Sequence, residues 1–196
     1  MKIRILVLSG IIFMLTACVG PKPIKLPKIY DLGSIDVTEK RKVLPPIAIA
    51  EVDAPNWLDG AGIVYRLAYK NEQELNNYAY SQLATSPANL TEDKLREHLM
   101  QSAEMAIAGI YTNENPTLKI RLEDFSQTFT SPEKSYVRIV FSATVFKSKN
   151  IIAQKSFATE LPAPTPNAEG AVKAFSKALD TNIENLIQWM ITLNLK

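Results

Sequence analysis

Five groupings in this 196-residue chain have residue types and spacings that chemistry could use. Ser131-Pro132-Glu133-Lys134 has the Ser-x-x-Lys spacing of acylating enzymes. That chemistry needs the serine at a helix start with the lysine one turn later, and here proline and polar residues place it in a hairpin turn. His98 is the only histidine, so a multi-histidine metal site is excluded. It lies beside the apolar stripe of a helical segment with no matched serine or cysteine nucleophile, which fits a hydrogen-bonded structural imidazole. Glu123-Asp124 are adjacent carboxylates at a strand end. Consecutive strand side chains face opposite ways, so the pair cannot serve one acid/base site without a bulge. Gly60-Ala61-Gly62 is an isolated Gly-x-Gly that fits backbone freedom at the entry to a strand. No Walker loop, dinucleotide fingerprint or Gly-x-Ser-x-Gly elbow is present. The residues imply no enzyme and no cofactor.

The fifth grouping is at the N-terminus. Lys2 and Arg4 precede an apolar run, Ile5 to Leu15, and then Leu15-Thr16-Ala17-Cys18, which holds the only cysteine. A basic start, a short apolar stretch and small residues before a cut make a secretory signal peptide. The run is too short to span a bilayer, which takes about 20 residues. A lone cysteine also rules out an internal disulfide and any multi-cysteine metal site. Its position resembles the lipobox of bacterial lipoproteins. That resemblance implies cleavage between Ala17 and Cys18, a diacylglyceryl thioether on Cys18 and acylation of the new amine. Val19, rather than Asp, follows Cys18, and by enterobacterial sorting this favours the outer membrane, periplasmic face.

Removing residues 1–17 takes away two basic side chains and no acidic one, so the mature chain has as many Lys and Arg as Asp and Glu. Such a balance gives no basic stripe for nucleic acid. Composition is otherwise ordinary for a globular domain: 46% hydrophobic and 21% charged. The remaining length suits one domain with one core. Positive charge concentrates at the front, in Lys22, Lys25, Lys28, Lys40, Arg41 and Lys42. Those lysines would touch anionic headgroups or simply keep a tether solvated.

The elements that would carry these groups follow from periodicity. Residues 18–28, with Pro21, Pro23 and Pro27, read as a lipidated cysteine and an extended tether. The domain then runs from residue 29 to 196. Ile29 to Leu32, Ile47 to Val52 and Ile63 to Leu67 read as strands, and residues 70–77 as a polar surface loop followed by extended Tyr78 and Tyr80. Ser86-Pro87 and Asn89-x-x-Glu92 are overlapping helix starts. The apolar stripe Leu95, Leu99, Ala103, Ala106 extends that helix to about Ala108, with Gly109 as terminator. Leu118 to Leu122, Tyr136 to Phe146 and Ile151 to Ala158 read as an antiparallel meander. Asn167 caps a last helix to about Leu193. The expected fold is a single α/β domain: a mixed, largely antiparallel sheet of five or six strands covered by two main helices.

Pro55-x-Trp57-Leu58-Asp59-Gly60-x-Gly62-Ile63-Val64-Tyr65-Arg66, preceded by Tyr30-x-Leu32 and followed by Tyr78, Tyr80 and Ala84-x-x-Pro87, resembles the ABC-type transport auxiliary lipoproteins, the family of the paraquat-inducible lipoprotein C. Gln82-Leu83 departs from it, because the family shows an Arg-Trp or similar pair there. The resemblance implies a fold like anticodon-binding α/β domains. It also implies a lipid-anchored periplasmic partner of an ABC transporter and of a mammalian-cell-entry-type protein, in phospholipid traffic between membranes. Some members form rings, which implies a homo-oligomer. The docking residues expected on this basis are Pro55, Trp57, Leu58, Asp59, Gly60 and Tyr65. Trp57 would either anchor an interface from its loop or fold back over the sheet edge as core. A structural lipoprotein that supports a secretion channel or envelope assembly is the competing role.

Overall fold

The computed structural model describes residues 25–35, 42–109, 115–148 and 150–195. The signal peptide, the lipobox and the first part of the tether lie outside these residues, as do Lys40 and Arg41. The described chain forms β1 (Lys28–Tyr30), β2 (Ile47–Ile49), a 3-10 turn (Asn56–Leu58), β3 (Gly62–Leu67), β4 (Asn71–Leu83) and α1 (Pro87–Ser102). It continues through β5 (Ala106–Ala108), β6 (Thr117–Ser131), β7 (Lys134–Lys147), β8 (Asn150–Pro162) and α2 (Ala168–Thr192). All eight strands join one mixed sheet, and two helices complete a single α/β domain.

The centre of the sheet is β6. One edge pairs with β7 along its whole length, and β7 pairs with β8, both antiparallel. The other edge is shared. Its first residues take β2 in parallel, Ile49 beside Leu118, and its last residues take β3 in parallel, Tyr65 beside Gln127. Beyond β3 lie β4, antiparallel, and then β1, parallel to the end of β4. Beyond β2 lies β5.

The meander forms where alternation places it. Val137, Ile139, Phe141, Ala143 and Val145 are buried on one face of β7, and the residues between them are half-buried. The buried face meets α2, whose Ala171, Phe175, Ala178, Leu179, Ile183, Leu186 and Met190 recur at helical spacing. Phe125 of β6 stacks on Phe175 at 4.2 Å. Each such fully buried Leu, Ile or Phe contributes about 1.5–3 kcal/mol. Asn182 is buried within this stripe. It accepts from the Thr159 hydroxyl at 2.6 Å and donates to the Ile139 carbonyl at 3.2 Å, so the sheet satisfies it. Helix α1 packs on α2 and β5.

Helix starts are capped locally. Asn167 Oδ1 accepts from Gly170 N–H at 2.9 Å, and Ser86 Oγ from Asn89 N–H at 3.3 Å, with Pro87 in the first turn. Gly170 also lies against Thr165, whose backbone carbonyl and hydroxyl occupy the space a Cβ would need.

Two segments differ from the periodicity reading, and they account for the extra strands. Residues 71–77 are a strand rather than a loop. This part of β4 pairs with β3, and Asn71 to Leu75 are exposed whichever face they point to. A strand wet on both faces carries no alternation. Helix α1 stops at Ser102 rather than near Ala108. Ala103 turns to φ −106°, ψ 155°, and Ala106 to Ala108 extend along β2, Ile47 beside Ala106. Alanine is a strong helix former, but here the unpaired edge of β2 supplies hydrogen bonds that outweigh propensity. Gly109, at φ 73°, therefore ends a strand, and its N–H donates to the Ile49 carbonyl at 3.0 Å.

Candidate functional site

The Pro55–Gly60 segment protrudes for a reason of register. Asp53 lies beside Arg121 and Tyr65 beside Gln127, so β6 advances six residues while the facing chain spends twelve. The surplus is extruded as a turn. Pro55, extended at φ −70°, ψ 150°, accepts from Leu58 N–H at 2.8 Å, and Asn56 O from Asp59 N–H at 3.2 Å. This 3-10 geometry sends neighbouring side chains in different directions. Leu58 is 1% exposed and joins the core, whereas Trp57 remains 36% exposed beside exposed Asn56, Asp59 and Gly60.

Trp57 rests against Arg66 of β3, whose guanidinium carbon lies 5.6 Å from the ring centroid. The same guanidinium donates to Ser126 Oγ at 2.8 Å, and that hydroxyl donates to Asp124 Oδ1 at 2.6 Å. Arg138 Nε of β7 lies 3.5 Å from Asp124 Oδ2, and its NH1 pairs with Glu160 of β8. Phe125 faces α2, so Asp124 and Ser126 on either side of it face away from the helices. A polar chain thus crosses four strands on the helix-free face, from Trp57 to Glu160. Its two guanidiniums and two carboxylates balance in charge.

Asp124 belongs to the adjacent carboxylate pair, and the register does shift between Leu122 and Asp124. The shift does not create a dyad. Asp124 is committed to Ser126 and two arginines, while Glu123 is exposed. Tyr65, adjacent to Arg66, faces the helix side. Its ring lies 4.8 Å from that of Tyr78 and 5.8 Å from that of Phe129. The Tyr78 hydroxyl donates to Gln127 Oε1 at 2.8 Å, and Gln127 Nε2 donates to Ser135 Oγ at 2.8 Å. Burial, and secondarily Tyr65, push the Tyr78 phenol well above its ordinary pKa. Of the docking residues expected from sequence, the structure gathers Pro55, Trp57, Asp59 and Gly60 on one turn. It turns Leu58 inward and places Tyr65 on the other face.

Ser131 and Lys134 flank the β6–β7 turn, where Ser131 Oγ accepts from Glu133 N–H at 3.3 Å. His98 is buried between the helices. Its Nε2 lies 3.0 Å from Asp180 Oδ1, and the buried Lys94 ammonium lies 3.2 Å from the same oxygen. Burial raises the Asp180 carboxyl pKa, but the His98 hydrogen bond and Lys94 outweigh it and hold the group below its usual range. This is a clamp between α1 and α2. Among the described residues, no cluster of three His, Cys, Asp or Glu is placed to hold a metal ion, and no helix is long and apolar enough to cross a membrane.

Sequence reasoning missed Arg66, Asp124, Ser126, Arg138 and Glu160 as one site. They come from four strands and share no local spacing.

A family model described as the ABC-type transport auxiliary lipoprotein component matches residues 30–185. No curated protein matches the chain. Among solved structures, the chain is similar to protein XCC0632 from Xanthomonas campestris, ascribed to family DUF330. The TM-score is 0.73 at 16% identity, covering 85% of this chain and 96% of that one. A second, described only as an uncharacterized protein, gives 0.68 at 14% identity, over 84% and 99%. The hypothetical protein CT253 from Chlamydia trachomatis gives 0.50 at 6% identity, over 76% and 97%. At such identities the likeness concerns the fold.

Proposed function

The chain belongs to the ABC-type transport auxiliary lipoprotein family, and on that premise we propose that it is the lipid-anchored periplasmic auxiliary component of an ABC transporter. Its transport system moves phospholipid between membranes together with a mammalian-cell-entry-type protein. Cys18 is the acylated residue, released by cleavage after Ala17, and the anchor lies in the outer membrane with the domain on the periplasmic side. The chain acts by binding and positioning rather than by catalysis. Three side chains that catalysis could have used are engaged in structural contacts: Asp124 with two arginines, Ser131 in a turn, His98 in a helix clamp.

The observation that carries the docking part is Trp57. A large aromatic stands on an extruded turn, oriented by Arg66, at the end of a polar chain across the helix-free face of the sheet. Aromatic and arginine side chains together anchor protein interfaces. A rigid turn also lowers the ordering cost of binding. Pro55 fixes the entry of the turn, and Asp59 and Gly60 form its exposed exit.

The test is site-specific photocrosslinking in intact cells. A photoreactive amino acid replacing Asn56 or Asp59, both exposed beside Trp57, should trap a mammalian-cell-entry-type protein or a transporter subunit, identified by mass spectrometry. Replacement of Ser156, exposed on β8, should trap neither. Equal yields at all three positions, or products containing neither protein class, would falsify this docking surface.

A further inference from the structure

We infer that the β1–β4 edge of the sheet is the membrane-facing side of the domain and rests on the anionic phospholipid surface that carries the anchor. The inference builds on the reading of Cys18 as the acylated residue and adds the orientation of the domain.

Three observations point to it. The first is reach. Seven residue steps separate Cys18 from Lys25, and even fully extended they span no more than about 25 Å. The described chain enters alongside β4. Lys28 pairs with Ser81, and Lys25 Nζ lies 4.9 Å from the Tyr80 ring centroid. Whatever the tether does, this edge starts within one domain thickness of the bilayer.

The second is composition. Leu26 is 79% exposed, Ile29 65% and Tyr80 54%, all on β1, its approach, or the adjoining end of β4. Lys25 and Lys28 stand among them. Aliphatic stems, a phenol and ammonium groups together are the chemistry of a headgroup boundary, where apolar bodies sink and polar tips stay wet. Lysine additionally meets the charge of anionic lipid. Glu169 of α2 lines the same hollow and feels the Lys28 charge, but its hydrogen bond goes to Lys173 at 2.7 Å, so it offsets the lysine charge only in part. Glu72 and Glu74 lie at the far end of β4, six or more residues from Tyr80.

The third is topology. Between β1 and β8 the sheet runs β4, β3, β6, β7, so β8 forms an opposite edge about 24 Å away at the usual strand spacing. An edge-on stance over the bilayer leaves β8 and the Trp57 face clear of lipid.

The chain has one cysteine, and acylation removes its thiol, so a second cysteine can be labelled alone. The lipidated mature protein is reconstituted into vesicles of phosphatidylcholine with or without phosphatidylglycerol, carrying Ala79→Cys or Ser156→Cys labelled with bimane. Headgroup-nitroxide lipid should quench the position-79 label at least three-fold more than the position-156 label. The difference should grow with phosphatidylglycerol and shrink toward equality in Lys25→Glu/Lys28→Glu. Equal quenching at both positions in protein that floats with vesicles and shows acylated Cys18 by mass overturns the orientation and leaves the anchor intact. A mature protein with a free Cys18 thiol overturns the anchor reading, and the orientation with it.

Discussion

Arg66 and Trp57 lie nine residues apart in sequence, and the arginine guanidinium carbon sits 5.6 Å from the indole centroid. The arginine is held from behind by Ser126, whose hydroxyl is in turn fixed by Asp124. Trp57 is thus oriented by a strand interior while a third of its surface remains open. This pair links the extruded turn to the sheet face, and the first two expectations below follow from how the turn is placed.

Trp57→Ala removes a half-exposed ring and no core contact of the size of Leu58. Urea denaturation should show a loss of about 1 kcal/mol or less. Crosslinking from position 56 or 59 to the transport partner should fall at least ten-fold. A large stability loss with unchanged crosslinking would make Trp57 a structural residue.

Leu58→Ala should behave in the opposite way. The side chain is 1% exposed, so truncation leaves a cavity and costs about 2–5 kcal/mol. Thermal and urea unfolding check this, and crosslinking should decline only as folded protein is lost.

Asp180→Ala leaves the Lys94 ammonium buried with its carboxylate partner gone. Loss of one member of a fully buried pair costs about 3–5 kcal/mol; with the Asp180 side chain 30% exposed, water screens the site and the loss should fall below that range. Lys94→Met/Asp180→Ala should recover much of that loss, since no unpaired charge then remains. Equal instability of single and double variants would show that the clamp is not electrostatic.

The same carboxyl sets a pH dependence. Its pKa is lower folded than unfolded, so the folded chain binds fewer protons. The associated stability is fully present above the ordinary Asp range, near 3.9, and is lost as pH falls through the lowered folded value. Asp180→Asn should flatten the acid limb of unfolding free energy against pH below the ordinary Asp range. An unchanged limb would assign acid sensitivity to other carboxylates.

Gly170→Ala replaces a poor helix former by the best one, yet it should destabilise. The new methyl collides with the Thr165 backbone carbonyl, which cannot rotate away. A loss of about 1–3 kcal/mol is expected, measured by denaturation.

Cys18→Ala should leave the precursor uncleaved and unacylated. Mass spectrometry of the N-terminus checks both, and normal cleavage after Ala17 in this variant would refute the anchor.

What sequence alone determined is what repeats locally. Alternation in Leu118 to Leu122 and the β-branched and aromatic run from Tyr136 to Phe146 foretold the meander, and helical spacing with Asn167 foretold α2 to within a residue or two. Pro55 and Gly60 marked the turn that carries Trp57. These signals exist because one face of each element is buried and the other wet, which writes a period into the chain. Tertiary structure alone decided the rest. Residues 71–77 are strand because β3 offers them an edge, and Ala106 to Ala108 left a helix because β2 offered another. Arg66, Asp124, Arg138 and Glu160 became one polar chain because β3, β6, β7 and β8 lie side by side. Hydrogen bonds to a neighbouring strand come from residues far away in sequence, so no local period records them.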